Sequence, residues 1–115
     1  CTSMGRVLLA ALPEPEARAI VERSDLTPRT RHSLTAPDEI MARIRQARAD
    51  GHAVIDQEVE LGLRSLAVPL WNAHGRVVAA LNTGVAAVQS SAEELVTLYL
   101  PALLRVQEGL RRVLR

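Results

Sequence analysis

Residues 65–83, SLAVPLWNAHGRVVAALNT, decide the fold class. Two runs rich in Val, Leu and Ala flank Asn72, Ala73, His74 and Gly75, a turn-forming set, so the stretch predicts an antiparallel hairpin with strands Ser65–Trp71 and Arg76–Thr83. A four-residue loop sets Trp71 opposite Arg76. Ser65 then pairs with Asn82, Ala67 with Ala80, Pro69 with Val78 and Leu63 with Gly84. Side chains alternate along a strand, so these pairs share one face, while Leu66 with Leu81, Val68 with Ala79 and Leu70 with Val77 form the other. The second face is core. The first is small, weakly polar and uncharged over its central pairs, whereas a solvated antiparallel face carries charged and polar residues. It is either the floor of a small-molecule pocket, with one hydroxyl and one carboxamide as oriented groups, or a Ser65–Asn82 hydrogen bond beneath a closely packed helix.

Upstream, the period is helical. Met4–Leu12 carries Val7, Leu8, Ala11 and Leu12 at helical spacing and stops at Pro13; Glu14–Arg23 follows with Ala17, Ile20 and Val21 inside. A third helix is predicted with Thr35 as N-cap, Asp38 three residues on, Pro37 in the first turn, Ile40, Ile44 and Ala47 inward, and Gly51 as its stop. Ala53–Ile55 then reads as a short strand leading into the acidic stretch Asp56, Gln57, Glu58 and Glu60. Downstream, Ser91 and Glu94 make a capping box for a long amphipathic helix whose stripe is Leu95, Leu98, Tyr99, Ala102, Val106, Leu110 and Val113, with a kink expected near Pro101. Helices and strands are grouped rather than alternating, which predicts an α+β domain.

The 115 residues are 48% hydrophobic and 23% charged, enough for one globular domain with a core. Trp71 and Tyr99 are the only aromatic residues, and the net charge is +1. That pattern argues against base stacking and against a basic nucleic-acid footprint within this segment. The lone cysteine excludes an internal disulfide and fits a reducing, cytoplasmic setting. No apolar run approaches the roughly 20 residues of a bilayer span. The chain opens directly in an apolar pattern and reads as a fragment of a longer protein.

Other candidate groups are weaker. Ser3, Met4 and Gly5 open a helix, where N–H groups without intrahelical partners suit a carboxylate. Asp56, Glu58 and Glu60 alternate as a solvated strand edge does. His32, His52 and His74 lack the i, i+4 spacing of a helical metal site, so no metal or cofactor is expected. Cys1 or Thr2 suggests an N-terminal nucleophile, but no base, phosphate loop or serine elbow accompanies it, and an enzyme is not expected. Arg111, Arg112 and Arg115 complement the dipole of the last helix.

CTSMGRVLLAAL (1–12), LTPRT (26–30), ARADGHAVIDQEVELGLRSLAVPL (47–70) and GRVVAALNTG (75–84) together resemble the effector-binding domain of IclR-type bacterial transcription regulators. Within that family they are most similar to the aromatic-catabolism branch controlling protocatechuate and β-ketoadipate operons. The resemblance covers essentially the whole chain, residues 1–115, and implies a GAF-like effector domain with an antiparallel sheet flanked by helices. It also implies a homo-oligomer, dimer or tetramer, whose N-terminal winged helix-turn-helix binds operator DNA. That module and the first strands of the effector domain are expected to lie outside this chain. The family's ligand contacts fall on Ser3 and Met4, on Ile55 and Asp56, on Ser65, and on Asn82 and Gly84, where relatives carry serines. Relatives place an Asp at the position of Ile55, so an acidic contact there is lost or moves to Asp56. The expected ligand is a small organic acid, protocatechuate, β-ketoadipate or a pathway relative, held by Ser65, Asn82 and the Ser3–Gly5 turn, with Ile55 and Leu63 as apolar walls. Gly84 leaves room for a larger, aromatic acid. The alternative is a ligand-free assembly module whose long C-terminal helix makes the subunit contacts.

Overall fold

A computed structural model describes residues 2–115; the reading of Cys1 as a nucleophile lies outside the described residues. The element order is α1 (Ser3–Ala10), α2 (Glu14–Glu22), α3 (Pro37–Asp50), β1 (Ala53–Asp56), β2 (Leu63–Trp71), β3 (Val77–Ala86) and α4 (Ala92–Leu110). The sheet is antiparallel, in the order β1-β2-β3. The fold is thus the small α+β domain that the sequence predicts. No helix among the described residues is long and apolar enough to cross a membrane.

The sheet lies between two helical layers. Ala53 and Ala67 face α1, α2 and α3, joining a core built on Val7, Val21, Ile40, Met41 and Ile44. Leu66 and Val68, one residue out of phase, face α4 and pack on Leu95 and Leu103. This division follows from strand alternation. Gly51 ends α3 in the left-handed conformation with φ of 77°, as a helix-stopping glycine should. Arg48 of α3 donates from Nε to the Ala10 carbonyl at 2.8 Å and from Nη2 to the Leu12 carbonyl at 3.0 Å. It therefore satisfies the last carbonyl of α1 and that of Leu12 just beyond, while the Ala11 and Leu12 N–H groups take the Leu8 and Leu9 carbonyls.

Three expectations are corrected. Ala36, not Thr35, is the N-cap of α3, with no side-chain cap bond; Pro37, with φ preset for a helix and no N–H to satisfy, starts it one residue later. The hairpin loop has five residues, because Trp71 pairs with Val77, and Val78 bulges before the pairing resumes as Leu70 with Ala79. Asn72 builds this longer loop: its Oδ1 accepts from the His74 and Arg76 backbone N–H groups, both at 3.0 Å. Each one-residue offset alone would exchange the faces of β3; together they make two and restore them. Ser65 is therefore opposite Gly84, Ala67 opposite Asn82, Pro69 opposite Ala80 and Leu63 opposite Ala86. The face assignment stands while every predicted partner slides by two.

The third correction concerns α4. The Ser91–Glu94 capping box forms, but Leu98 is 62% exposed, Val113 67%, and Tyr99 and Val106 are exposed as well. The helix instead buries Leu95, Leu103 and Gln107, turning part of the predicted stripe outward. Gln107 Nε2 donates to the Pro69 carbonyl at 2.7 Å and the Arg111 guanidinium lies 5.5 Å from the Trp71 ring. These polar anchors on β2 set the rotation of the helix, which hydrophobic periodicity does not register.

Candidate functional site

The uncharged face of the sheet lies under α1. Thr2 caps this helix, its Oγ1 accepting from Gly5 N at 3.0 Å, and the Arg6 N–H bonds the Thr2 carbonyl at 2.9 Å. Gly5 is thus part of the cap itself. Its N–H is committed to the cap, and a Cβ there would stand 3.1 Å from Thr2 Oγ1. The Ser3 and Met4 N–H groups, in the first turn, have no intrahelical partners. Ser3 is buried at 1% exposure, and its hydroxyl is hydrogen-bonded to that of Ser65 at 3.0 Å. The Ser65–Asn82 bond, the alternative to a pocket, gives way to this one: Gly84, not Asn82, stands opposite Ser65.

Ser65 lies in the middle strand between Ile55 of β1 and Gly84 of β3. Ile55 is buried at 2%, closing one side, whereas Asn82, Gly84 and Ala86 of the edge strand β3 are exposed. At the far end of α1, Leu8, Leu12 and Ile20 line a cavity of about 780 Å³ with Val77, and none of Ser3, Ser65, Asn82 and Gly84 lines it. Met4 and Leu8 are partly exposed along this helix, as is Leu63 beside Ser65. The face around Ser65 is thus made of small residues and is exposed along β3. Gly84 is not required by the backbone: it has no positive φ, and a Cβ would meet Leu63 Cδ1 at 3.5 Å and the Arg64 carbonyl at 3.8 Å, both ordinary contacts. What glycine provides there is the absence of a side chain opposite Ser65.

Asp56 does not join this group. It pairs with Arg64 on the opposite face of the sheet. Its Oδ1 accepts from Arg64 Nε at 2.8 Å and from Gln57 Nε2 at 3.2 Å. Burial pushes the carboxyl up, but these hydrogen bonds and the charges of Arg64 and His32 outweigh it and hold the group below its ordinary value. The one-residue step from Ile55 to Asp56 reverses the side-chain direction, so Asp56 cannot replace a carboxylate at position 55.

Two arginines escaped the sequence reading. Arg6, one turn beyond Ser3 and 3% exposed, donates from Nη2 to Glu58 Oε1 at 2.7 Å, tying α1 to the β1–β2 loop. Thr30 and Ser33 hydroxyls donate to the Gln57 and Glu58 carbonyls of the same loop, each at 2.6 Å. Arg64 donates from Nη1 to the Ala87 and Ser90 carbonyls at 2.8 and 2.7 Å, fixing the turn into α4. The available signal was parity. Arg64 shares the core phase of Leu66 and Val68, and Arg6 the buried stripe of Ser3, Val7 and Ala10, so both needed internal partners.

This face and the first turn of α1 carry a hydroxyl, a carboxamide and two N–H groups without intrahelical partners. Neutral donors of this kind bind a carboxylate without ionising a protein group.

The family model described as bacterial transcriptional regulator IclR C-terminal matches residues 1–108. The chain is 46% identical over 110 residues to the Pca regulon regulatory protein of Pseudomonas putida, covering 96% of this chain and 38% of that protein. It is 30% identical over 112 residues to the p-hydroxybenzoate hydroxylase transcriptional activator of Acinetobacter baylyi, covering 97% of this chain and 41% of that protein. It thus spans about two fifths of the length of both relatives. Among solved structures, the inducer-binding domain of a double mutant of PobR from Acinetobacter, in complex with 3-hydroxybenzoic acid, superimposes with a TM-score of 0.93 at 28% identity, over 98% of this chain and 66% of that one. A transcriptional regulator from Rhodococcus sp. RHA1 gives a TM-score of 0.86 at 47% identity, over 94% of this chain and 44% of that one.

Proposed function

The chain belongs to the IclR family of bacterial transcription regulators, as part of its C-terminal effector domain, and from that premise we propose that the face between α1 and β3 binds a small aromatic acid whose occupancy alters operator binding by the parent protein. The carboxylate is held by Ser65, Asn82 and the first-turn N–H groups of α1; the ring lies over Gly84, between Met4 and Leu63. The observation that carries this reading is the uncharged, small-residue face shared by Ser65, Asn82 and Gly84, with Asn82 and Gly84 exposed and Ser65 bonded to Ser3 at the start of α1. The likeness to a domain described in complex with 3-hydroxybenzoic acid supports the ligand class. Protocatechuate and β-ketoadipate are the other acids of choice. The readout is a change in packing within a homo-oligomer, which requires the ligand to bind two arrangements unequally, by about 1–3 kcal/mol. Operator DNA is contacted by a winged helix-turn-helix elsewhere in the parent protein, and this segment performs no catalysis.

Thermal unfolding with a panel of these acids tests the proposal. A ligand at about 100 times its Kd adds roughly 2.7 kcal/mol to stability. One acid should raise the midpoint, and Ser65→Ala or Asn82→Ala should abolish the rise. A folded protein indifferent to every acid would end the proposal.

A further inference from the structure

β1 is an edge of the sheet, paired with β2 on one side. Just beyond its end the Gln57 N–H bonds the Leu63 carbonyl at 2.9 Å, which continues the β1–β2 register and marks a hydrogen-bonded pair. Antiparallel pairs alternate, so the N–H and C=O groups of Val54 and Asp56 point away from β2, toward the open edge. A cavity borders this edge on each face of the sheet, and Val54 lines both. The one on the α3 side, about 310 Å³, is lined by Arg43, Gln46 and Asp50; the one on the α4 side, about 510 Å³, by Ala92, Val96 and Thr97. A strand laid against β1 therefore finds backbone partners and room on both faces.

The charges select the strand. Arg43, Gln46 and Asp50, three and four positions apart, form one exposed stripe of α3. Asp50 is the last residue of the helix, where the dipole opposes a negative charge, and among the described residues it makes no ion pair. Arg43 bonds the neutral Gln46 side chain at 3.2 Å. Reversed end to end, the stripe complements itself, Arg43 against Asp50. The strand does the same when the reversal is centred on Val54: the two Val54 residues exchange backbone hydrogen bonds, and the Asp56 carboxylate stands opposite the partner's His52, whose ring N–H donates. Centred on Asp56, the pairing would oppose two carboxylates.

We infer that β1 and α3 form the contact surface for a second copy of this chain. The β1 strands pair antiparallel, joining two three-stranded sheets into one, and each Arg43 meets the partner's Asp50. The inference is independent of the ligand reading, because this surface lies away from the face of Ser65.

Sedimentation equilibrium of the chain from micromolar to millimolar concentration, with hydrogen exchange of the Val54 and Asp56 amides, tests it. The chain should dimerise, and both amides should exchange more slowly as the dimer forms. Arg43→Glu and Asp50→Arg each set like charges together twice per dimer and should weaken association roughly tenfold. The double variant opposes unlike charges again and should return the Kd to within about threefold of the starting one. Both positions are exposed, and circular dichroism checks that each variant is folded. A chain that stays monomeric overturns the inference. So does a dimer whose Val54 and Asp56 amides are no slower than the monomer's, which another surface must hold, and so does a double variant as weak as the single ones.

Discussion

Gly84→Ala separates the two reasons a strand can contain glycine. If glycine were needed for backbone conformation, alanine would destabilise the fold. The φ of Gly84 is not in the left-handed region, and the nearest atoms to an added Cβ are Leu63 Cδ1 at 3.5 Å and the Arg64 carbonyl at 3.8 Å, so the methyl fits without displacement. Restricting the unfolded chain then stabilises the protein by about 0.4–1 kcal/mol, a rise of about 2–5 °C in Tm for a domain of this size. Ligand binding should move the other way. The methyl stands on the floor directly opposite Ser65, and an overpacked methyl costs about 1–3 kcal/mol, or roughly five- to 150-fold in Kd. Thermal unfolding followed by circular dichroism and calorimetric titration with 3-hydroxybenzoate give the two numbers. A destabilisation of about 1 kcal/mol or more would show that packing or backbone requires glycine. Unchanged affinity in a stabilised variant would place the ligand elsewhere.

Ser65→Ala should cost about 1–3 kcal/mol in urea unfolding, because the buried Ser3 hydroxyl loses its partner, and Ser3→Ala added to it should recover part of that loss. Met41→Ala, at a fully buried position in the layer beneath α1, should cost about 2–5 kcal/mol by the same assay. Asp56 supplies a pH dependence of defined sign. Its carboxyl is held below the ordinary value in the folded state. Its contribution is therefore complete above the unfolded value of about 3.9 and is lost as pH falls through the lowered folded one. Stability measured from pH 6 downward should fall less steeply below pH ~4 in Asp56→Asn; an unchanged slope would mean that Arg64 does not hold the carboxylate in solution.

Much of the fold was legible because it is written in local chemistry. Gly51 stops α3, Ser91 and Glu94 cap α4, and the period changes from helical to alternating at Ala53, each a signal carried by residues adjacent in sequence. The face shared by Ser65, Asn82 and Gly84 was legible too, since strand parity survives an offset of two. Pair identities were not, because the loop closed by Asn72 and the bulge at Val78 are set by backbone hydrogen bonding that composition does not specify.

What the sequence determined by itself, then, is which elements form, where they stop and which strand positions look the same way, together with the family resemblance of its motifs. Tertiary structure alone decided that Ser65 bonds Ser3, 62 positions away in the chain; that Asp56 turns from the face of Ser65 toward Arg64; and which stripe of α4 is buried. The physical reason is common to all three. Periodicity records whether a side chain is apolar, but the partner of a polar group and the rotation of a helix are fixed by hydrogen bonds between distant segments, as Gln107 fixes α4 on the Pro69 carbonyl.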